Sequence, residues 1–169
     1  EEFGEHGMVG WHSHSLYDEL LRVPLVLKLP HSQLAGTSVE TQVRSIDIAP
    51  TVLSALGIDI PLQFQGANLL EARGEEPFPS YAVSKQDVAG TEDVSALRTR
   101  EWKWYRGKLF HLASDERERF DVSSSHPVMA EELRLKLQEI VASRPRPKAT
   151  KVRPSEELEE RLRSLGYIK

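Results

Sequence analysis

The chain contains no cysteine, which excludes disulfide bridges, cysteine-ligated zinc and thiol nucleophiles together. It has no excess of positive charge either. Lys and Arg total 22 against 26 Asp and Glu, a net charge of −4 with a pI near 5.9. Nucleic-acid binders usually carry a strongly basic domain or face, so that class is disfavoured. No apolar run approaches the ~20 residues that a bilayer-spanning helix needs, and no internal repeat is visible. Neither an initiator Met nor a signal-peptide pattern stands at Glu1-Glu2-Phe3-Gly4. The expectation is a portion of a longer polypeptide, and its location is left open. What is present is a globular composition. Hydrophobic residues make up 39% of 169 positions, enough for one domain with a thin core, or one domain plus an appendage.

Residues 1–19 are rich in Gly, His and acid without a clean period, which predicts a loop ordered by tertiary contacts. The run Val23-Pro24-Leu25-Val26-Leu27-Lys28-Leu29, closed by Pro30, suits a strand buried on both faces of a parallel sheet. Ile48, Val52 and Leu56 then recur every four residues as one apolar helix face. Asp47 is placed as its N-cap, Pro50 in its first turn, and Gly57 as its stop. Strand followed by helix reads as one βα step. Residues 57–80 are a loop punctuated by Pro and Gly, anchored by Leu62, Phe64, Leu69 and Leu70. Short strands are expected at 80–84, 94–99, 102–105 and 109–112, with Gly107 in a tight turn. Pro127 opens a helix lined by Met129, Leu133, Leu137, Ile140 and Val141. Residues 144–153 form a Pro-broken basic linker. A last helix is capped by Ser155, striped by Leu158, Leu162 and Leu165, and supported by Glu157–Arg161 and Glu159–Arg163 pairs. The fold class predicted is therefore α/β. The end of a parallel-sheet domain (1–79) precedes a small antiparallel-sheet and helix subdomain (80–143), then the linker and terminal helix (144–169).

Three of the six histidines, His6, His12 and His14, fall in the first fourteen residues. In an extended segment, His12-Ser13-His14 puts two imidazoles on one side, as some zinc sites use. Glu1, Glu2, Glu5 and Asp18 are available as further ligands. The same pattern also describes loop histidines hydrogen-bonded to neighbouring carboxylates, and His6 reads as such a loop-ordering residue. Arg22 is expected to pair with Asp18 or Glu19. Trp102, Trp104 and Tyr105 could stack on a sugar, although strand packing is the preferred use.

Read whole, the chain resembles the sulfatase family of the alkaline-phosphatase-like superfamily. Gly4-Glu5-His6-Gly7 matches the end of that family's metal-binding D-(N/H)-G-E-x-x-G-E-H-G segment. Leu16-Tyr17-Asp18-Glu19 and Arg22-Val23-Pro24-Leu25 match its L-Y-E-E-x-x-R-V-P-L run. Further along, Asp47-Ile48-Ala49-Pro50-Thr51 is similar to D-I-x-P-T, and Gln65-Gly66-Ala67-Asn68-Leu69-Leu70 to Q-G-x-S-L-L. Arg98-Thr99 with Trp102-Lys103 resembles R-T-x-x-W-K, 109–122 its L-Y-D-L-x-x-D-P-x-E-x-x-N-L pattern, and 162–168 its L-R-x-L-G-Y-I tail. His111, Glu116 and Asp121 depart from that long pattern, which is structural.

The resemblance implies sulfate monoester hydrolysis by a formylglycine nucleophile with a calcium ion, both supplied by sequence before Glu1. No metal ligand is assigned within the chain itself. Many members have a sulfate-contacting Lys four residues before the Tyr. Ser13 stands there, flanked by His12 and His14, and a related family pattern reads H-G-H. It follows that His14 or His12 binds sulfate or protonates the leaving group, His14 by preference, with Ser13 and His14 as the substrate-binding pair. The implied partners are a small-molecule or carbohydrate sulfate ester and the remainder of the chain's own catalytic domain, and the chain by itself is expected to be inactive. Two alternatives stand beside this reading. One is a phosphonate monoester or phosphodiester hydrolase of the same superfamily; the other is a non-catalytic module holding zinc on its histidines.

Overall fold

Short strands of alternating burial, cut by tight turns, form an antiparallel meander in the computed structural model. The structure describes residues 2–7, 9–10, 15–71, 80–84, 94–143 and 155–164. Strand β1 (Ser80–Ser84) pairs with β2 (Val94–Arg98), β2 with β3 (Trp102–Tyr105), and β3 with β4 (Lys108–His111), in the spatial order β1-β2-β3-β4. In register, Ala96 faces Tyr105, Leu97 faces Trp104, Arg98 faces Lys103 and Lys103 faces Phe110. The bounds match the expected strands to within a residue. Gly107 takes the positive φ of +74° that the β3–β4 turn requires.

Both faces of this sheet are covered, which explains why its strands do not alternate simply between apolar and polar. One face carries Ala96, Tyr105 and Phe110, packed with Leu112 against Leu16, Tyr17 and Leu21 near the start of the chain. The other carries Leu97, Leu109, Trp102 and Trp104, packed against Ala130, Leu133 and Leu137 of helix α3 (Pro127–Ser143). Burying Leu133 and Leu137 contributes roughly 1.5–3 kcal/mol each. Trp102, Trp104 and Tyr105 are packing residues, as expected: Tyr105 is wholly buried, and Trp102 and Trp104 lean on the α3 cluster.

The first part of the chain is less regular. Asp18–Leu21 form a single helical turn, α1, that begins at the end of the stretch expected to be loop. Val23–Leu29 do not form the expected strand: they have no strand partner among the described residues, and Val26 is 88% exposed. A buried strand needs edges to hydrogen-bond and helices to cover it, and the described residues offer it neither. A tight turn at Ser45–Asp47 leads into α2 (Ile48–Ala55). That helix ends as expected at Gly57, whose φ is +68°. Gly57 N donates to Ser54 O at 3.0 Å and Ile58 N to Leu53 O at 2.9 Å, the paired bonds of a left-handed helix stop.

The apolar face of α2 points the other way from expectation. Ile48, Val52 and Leu56 are exposed, while Pro50 and Thr51 are buried. What holds that inner side is a polar seam to the 66–70 loop, described below. Helix α4 (Glu156–Ser164) is capped as predicted, Leu158 N donating to Ser155 Oγ at 3.3 Å. Its expected Glu157–Arg161 and Glu159–Arg163 pairs are not among the described ion pairs; on a solvated helix such pairs are worth only a few tenths of a kcal/mol, too little to hold long side chains in place. No described helix is long and apolar enough to cross a membrane.

Gly66 is where the loop presses closest to the helix start. A Cβ there would sit 2.0 Å from Ile46 O and 2.6 Å from Ile46 C. These are backbone atoms that cannot swing aside. Gly66→Ala should therefore cost about 3 kcal/mol, the upper end of overpacking, more than Gly57→Ala, where the added Cβ meets open space and only the positive φ is penalised, by about 1–2 kcal/mol. Urea unfolding of the two variants tests the order; equal losses would mean that the close approach is not a constraint.

Candidate functional site

The opening segment is a small hairpin. Gly10 N donates to Glu2 O at 2.8 Å, Phe3 and Val9 form an isolated antiparallel bridge, and Gly7 N closes the turn on Gly4 O at 3.2 Å. His6 lies flat on Tyr17, the ring centroids 3.5 Å apart and the planes within 1°. Its Nδ1–H donates to Glu19 Oε1 at 2.5 Å, and its Nε2 lies 3.4 Å from Glu118 O. His6 therefore orders the loop, as the sequence suggested. Tyr17 in turn meets Tyr105 and Phe110 edge-on, at 5.0 and 6.3 Å, which seats the hairpin and α1 on the sheet.

Beneath α1 lies a buried ionic junction. Lys103, with no exposed surface, points from β3 toward the chain's opening segment. Its Nζ donates to Asp18 Oδ1 at 2.9 Å and stands 2.7 Å from Glu118 Oε1. Arg98 Nε reaches both oxygens of Asp18, at 3.1 and 3.0 Å, and its NH1 donates to Gln42 Oε1. Gln42 Nε2 returns a bond to Arg98 O at 3.2 Å. Glu118 Oε2 accepts from Asp18 N at 2.6 Å. Burial alone would raise the Asp18 pKa, but the Arg98 hydrogen bonds and the Lys103 charge outweigh it and hold the carboxyl below its ordinary value. Glu118 goes the other way: burial raises its pKa, and its share of the single Lys103 charge only partly offsets that.

Arg22 consequently does not pair with Asp18 or Glu19. It is exposed, and those carboxylates are held by Arg98, Lys103 and His6.

A second seam centres on Asp47. Its carboxylate does not cap α2. Oδ2 accepts from Arg44 N at 2.8 Å, and Oδ1 from Arg44 NH2 at 2.8 Å and Ala67 N at 2.9 Å. Asp47 thus closes the turn before α2 and ties it to the 66–70 loop. Thr51 Oγ1 donates to Asp47 O at 2.5 Å and accepts from Leu69 N at 3.0 Å; Asn68 Nδ2 donates to Ser54 Oγ at 2.8 Å. In the 109–122 pattern, Asp121 Oδ1 accepts from Leu109 N at 3.2 Å and from Ser123 N at 2.9 Å. Replacing the usual Asn there has left that motif its acceptor.

His12, Ser13 and His14, the predicted site residues, lie outside the described residues, bounded by Gly10 on one side and Ser15 on the other. Glu2, Asp18 and Glu5, offered as further metal ligands, are engaged otherwise. Glu2 accepts from Ser15 Oγ at 2.6 Å, Asp18 is ion-paired, and Glu5 accepts from Phe3 N at 2.7 Å. Among the described residues no three His, Asp or Glu side chains come together in a metal-holding group, so the calcium implied by resemblance finds no ligand set here. Sequence reasoning missed Lys103 and Glu118. The signal for Lys103 was a lone cation on the inward register of a Trp-Lys-Trp-Tyr strand; Glu118 was hidden in the charge-rich run Asp115–Arg119.

With this geometry in hand, comparison with known proteins identifies the group. Residues 4–139 match the family described as N-sulphoglucosamine sulphohydrolase, C-terminal, and the chain belongs to it. An ulvan-active sulfatase of Formosa agariphila is 28% identical over 162 residues, covering 92% of this chain and 26% of that protein. An N-acetylglucosamine-6-O-sulfatase of Bacteroides thetaiotaomicron is 35% identical over 77 residues, covering 44% of this chain and 13% of that protein. The crystal structure of a candidate sulfatase from Bacteroides thetaiotaomicron superposes with a TM-score of 0.65 at 21% identity, over 90% of this chain and 36% of the other; that likeness speaks for the fold. The chain thus spans about a quarter of the length of the first of these relatives.

The two carboxylates at Lys103 give opposite pH dependences. Glu118, with a folded-state pKa above its unfolded value of about 4.3, contributes stability below that pH and loses it as pH rises through the folded-state pKa. Asp18, lowered below about 3.9, contributes stability above that pH and loses it as pH falls through its folded-state pKa. Glu118→Gln should remove the first loss and keep the second. Unfolding free energies of both proteins across the acid and neutral range test this; an unchanged slope above about pH 4 in the variant would contradict it.

Proposed function

We propose that this chain is the C-terminal part of a sulfatase acting on a sulfated carbohydrate or another sulfate ester, with His12-Ser13-His14 forming one wall of the site. The observation that carries this reading is the buried junction. Asp18, Arg98, Lys103 and Glu118 come from three separate stretches matched by one family, and they meet around one buried ammonium, with Asp18 following closely on Ser15 in the chain. The relatives named for ulvan and for N-acetylglucosamine-6-O-sulfate support a sugar substrate.

Cleaving a sulfate monoester moves negative charge onto the bridging oxygen and the sulfuryl oxygens. An imidazole at His14 or His12 supports that charge as a cation beside the sulfuryl group, or donates a proton to the leaving oxygen. The formylglycine nucleophile belongs to residues beyond this chain, which has no cysteine to supply it. Calcium, which would add positive charge at the sulfuryl oxygens when bound, is likewise assigned to ligands beyond the described residues. The exposed face of Ile48, Val52 and Leu56, with Val23 and Val26, is in this reading covered by the rest of the catalytic domain. The zinc-module alternative is weakened by the engagement of Glu2, Glu5 and Asp18. The phosphonate or phosphodiester alternative is separated by assay.

In the full polypeptide that carries these residues, aryl and sugar sulfates should be hydrolysed well ahead of phosphonate monoesters and phosphodiesters. This chain produced alone should hydrolyse none, and should bind an apolar-surface dye. Within the full polypeptide, His14→Ala should lower kcat/KM by about 10²–10⁴-fold. A loss that shrinks as the leaving alcohol becomes more acidic identifies a proton donor; a constant loss identifies a sulfate contact. Preference for phosphonates, turnover by the chain alone, or full activity in both His12→Ala and His14→Ala would overturn the proposal.

A further inference from the structure

Gly10 and Ser15 bound the segment that carries His12 and His14, and both are bonded to the same residue. Gly10 N donates to the main-chain oxygen of Glu2 at 2.8 Å, and Ser15 Oγ donates to the side-chain Oε1 of Glu2 at 2.6 Å. Glu2 is completely buried and Ser15 is 5% exposed. We infer that Glu2 is a positioning residue, a clasp that fixes Gly10 and Ser15, the residues on either side of 11–14, relative to each other. This rests on the sulfatase reading for what the segment does, but the clasp itself stands on Glu2, Gly10 and Ser15 alone.

Three features support a geometric rather than a merely packing role. A buried carboxylate is costly where an aliphatic side chain of similar size would add stability, so its place here answers a need for direction. The bond to Ser15 is a short hydroxyl-to-carboxylate contact, the stronger and more directional class. The hairpin that presents Glu2 is held at its far end as well: His6 is stacked on Tyr17 and bonded to Glu19. Neither end of the hairpin is therefore free to drift: His6 ties its tip to α1, and Glu2 ties Gly10 and Ser15 to each other.

The test uses the full polypeptide and three variants. Ser15→Ala removes the donor, Ser15→Thr keeps a hydroxyl, and Glu2→Gln keeps the acceptor. Ser15→Ala should lower kcat/KM for a sulfate ester by roughly 10–100-fold, while the thermal midpoint moves by only about 2–4 °C. Ser15→Thr and Glu2→Gln should recover most of the activity. Independently of any substrate, amide hydrogen exchange at Gly10 should quicken at least about tenfold in Ser15→Ala, with Leu112 and Val122 unchanged. Unaltered kinetics in Ser15→Ala, or a loss of activity matched by loss of fold and not restored by Ser15→Thr, would overturn the clasp. If the wild type hydrolyses no sulfate ester yet Gly10 exchange responds as stated, the clasp stands and the sulfatase reading falls.

Discussion

One ammonium group holds the architecture together. Lys103 enters from the middle of a strand, is sealed from water, and meets Asp18 and Glu118 at 2.9 and 2.7 Å. Placing three charges in a dry site is expensive, and apolar replacements of like size often equal or exceed such a cluster in stability. Its value lies in selectivity. Asp18 lies 85 residues from Lys103 and 100 from Glu118, and many apolar packings of α1 on the sheet would bury similar area. Only one places both carboxylates on the same ammonium while the Asp18 N–H also meets Glu118. A misplaced α1 would strand a buried charge, a loss of about 3–5 kcal/mol, so competing arrangements are penalised steeply.

From that point position is passed outward in steps, each with its own chemistry. The sheet fixes α1 through Arg98 and Lys103. Tyr17, one residue before Asp18, carries the His6 ring on its face, and His6 fixes the tip of the opening hairpin. Glu2, at the hairpin's base, holds Gly10 and Ser15. Four of these residues, Glu2, His6, Tyr17 and Asp18, lie in the first eighteen positions, yet their order derives from strands some eighty or more residues later. Late strands thus determine where the described residues on either side of 11–14, Gly10 and Ser15, stand.

Much of this was legible in the sequence, for identifiable reasons. Trp102–Tyr105 and its neighbours were readable because turn residues bound short β-prone runs, and Gly57 because only a left-handed residue ends a helix in that way. The order of the family motifs was readable as well. Their convergence was not: L-Y-D-E, R-T-x-x-W-K and the Glu of the 109–122 pattern read as separate strings, and nothing in any of them shows that Asp18 and Glu118 share one lysine. Asp47 misled because a carboxylate before a helix has two nearby sets of N–H groups to accept from. It chose Arg44 and Ala67, which a distant loop brought to it.

Helix α2 shows how far these contacts outrank hydrophobicity. Its apolar stripe of Ile48, Val52 and Leu56 faces outward, and its buried side is Pro50 and Thr51, stitched to the 66–70 loop by Asp47, Thr51 and Ser54. Exposing three large aliphatic side chains forfeits several kcal/mol of burial, more than a handful of neutral hydrogen bonds returns at about 1 kcal/mol each. A helix folding on its own account would turn over. That it does not, and that Gly66 admits no side chain against Ile46, means the polar seam is geometrically locked and the apolar stripe is addressed elsewhere. Val23 to Leu29 carries the same signature, an apolar run whose burial requires a sheet the described residues do not contain. Two elements with opposite local logic thus each leave apolar side chains exposed among the described residues. In the proposed reading the rest of the catalytic domain packs on those side chains, so the buried ionic junction and the exposed apolar surface divide the labour: the first sets the position of α1, which follows Ser15, and the second joins it to the chemistry.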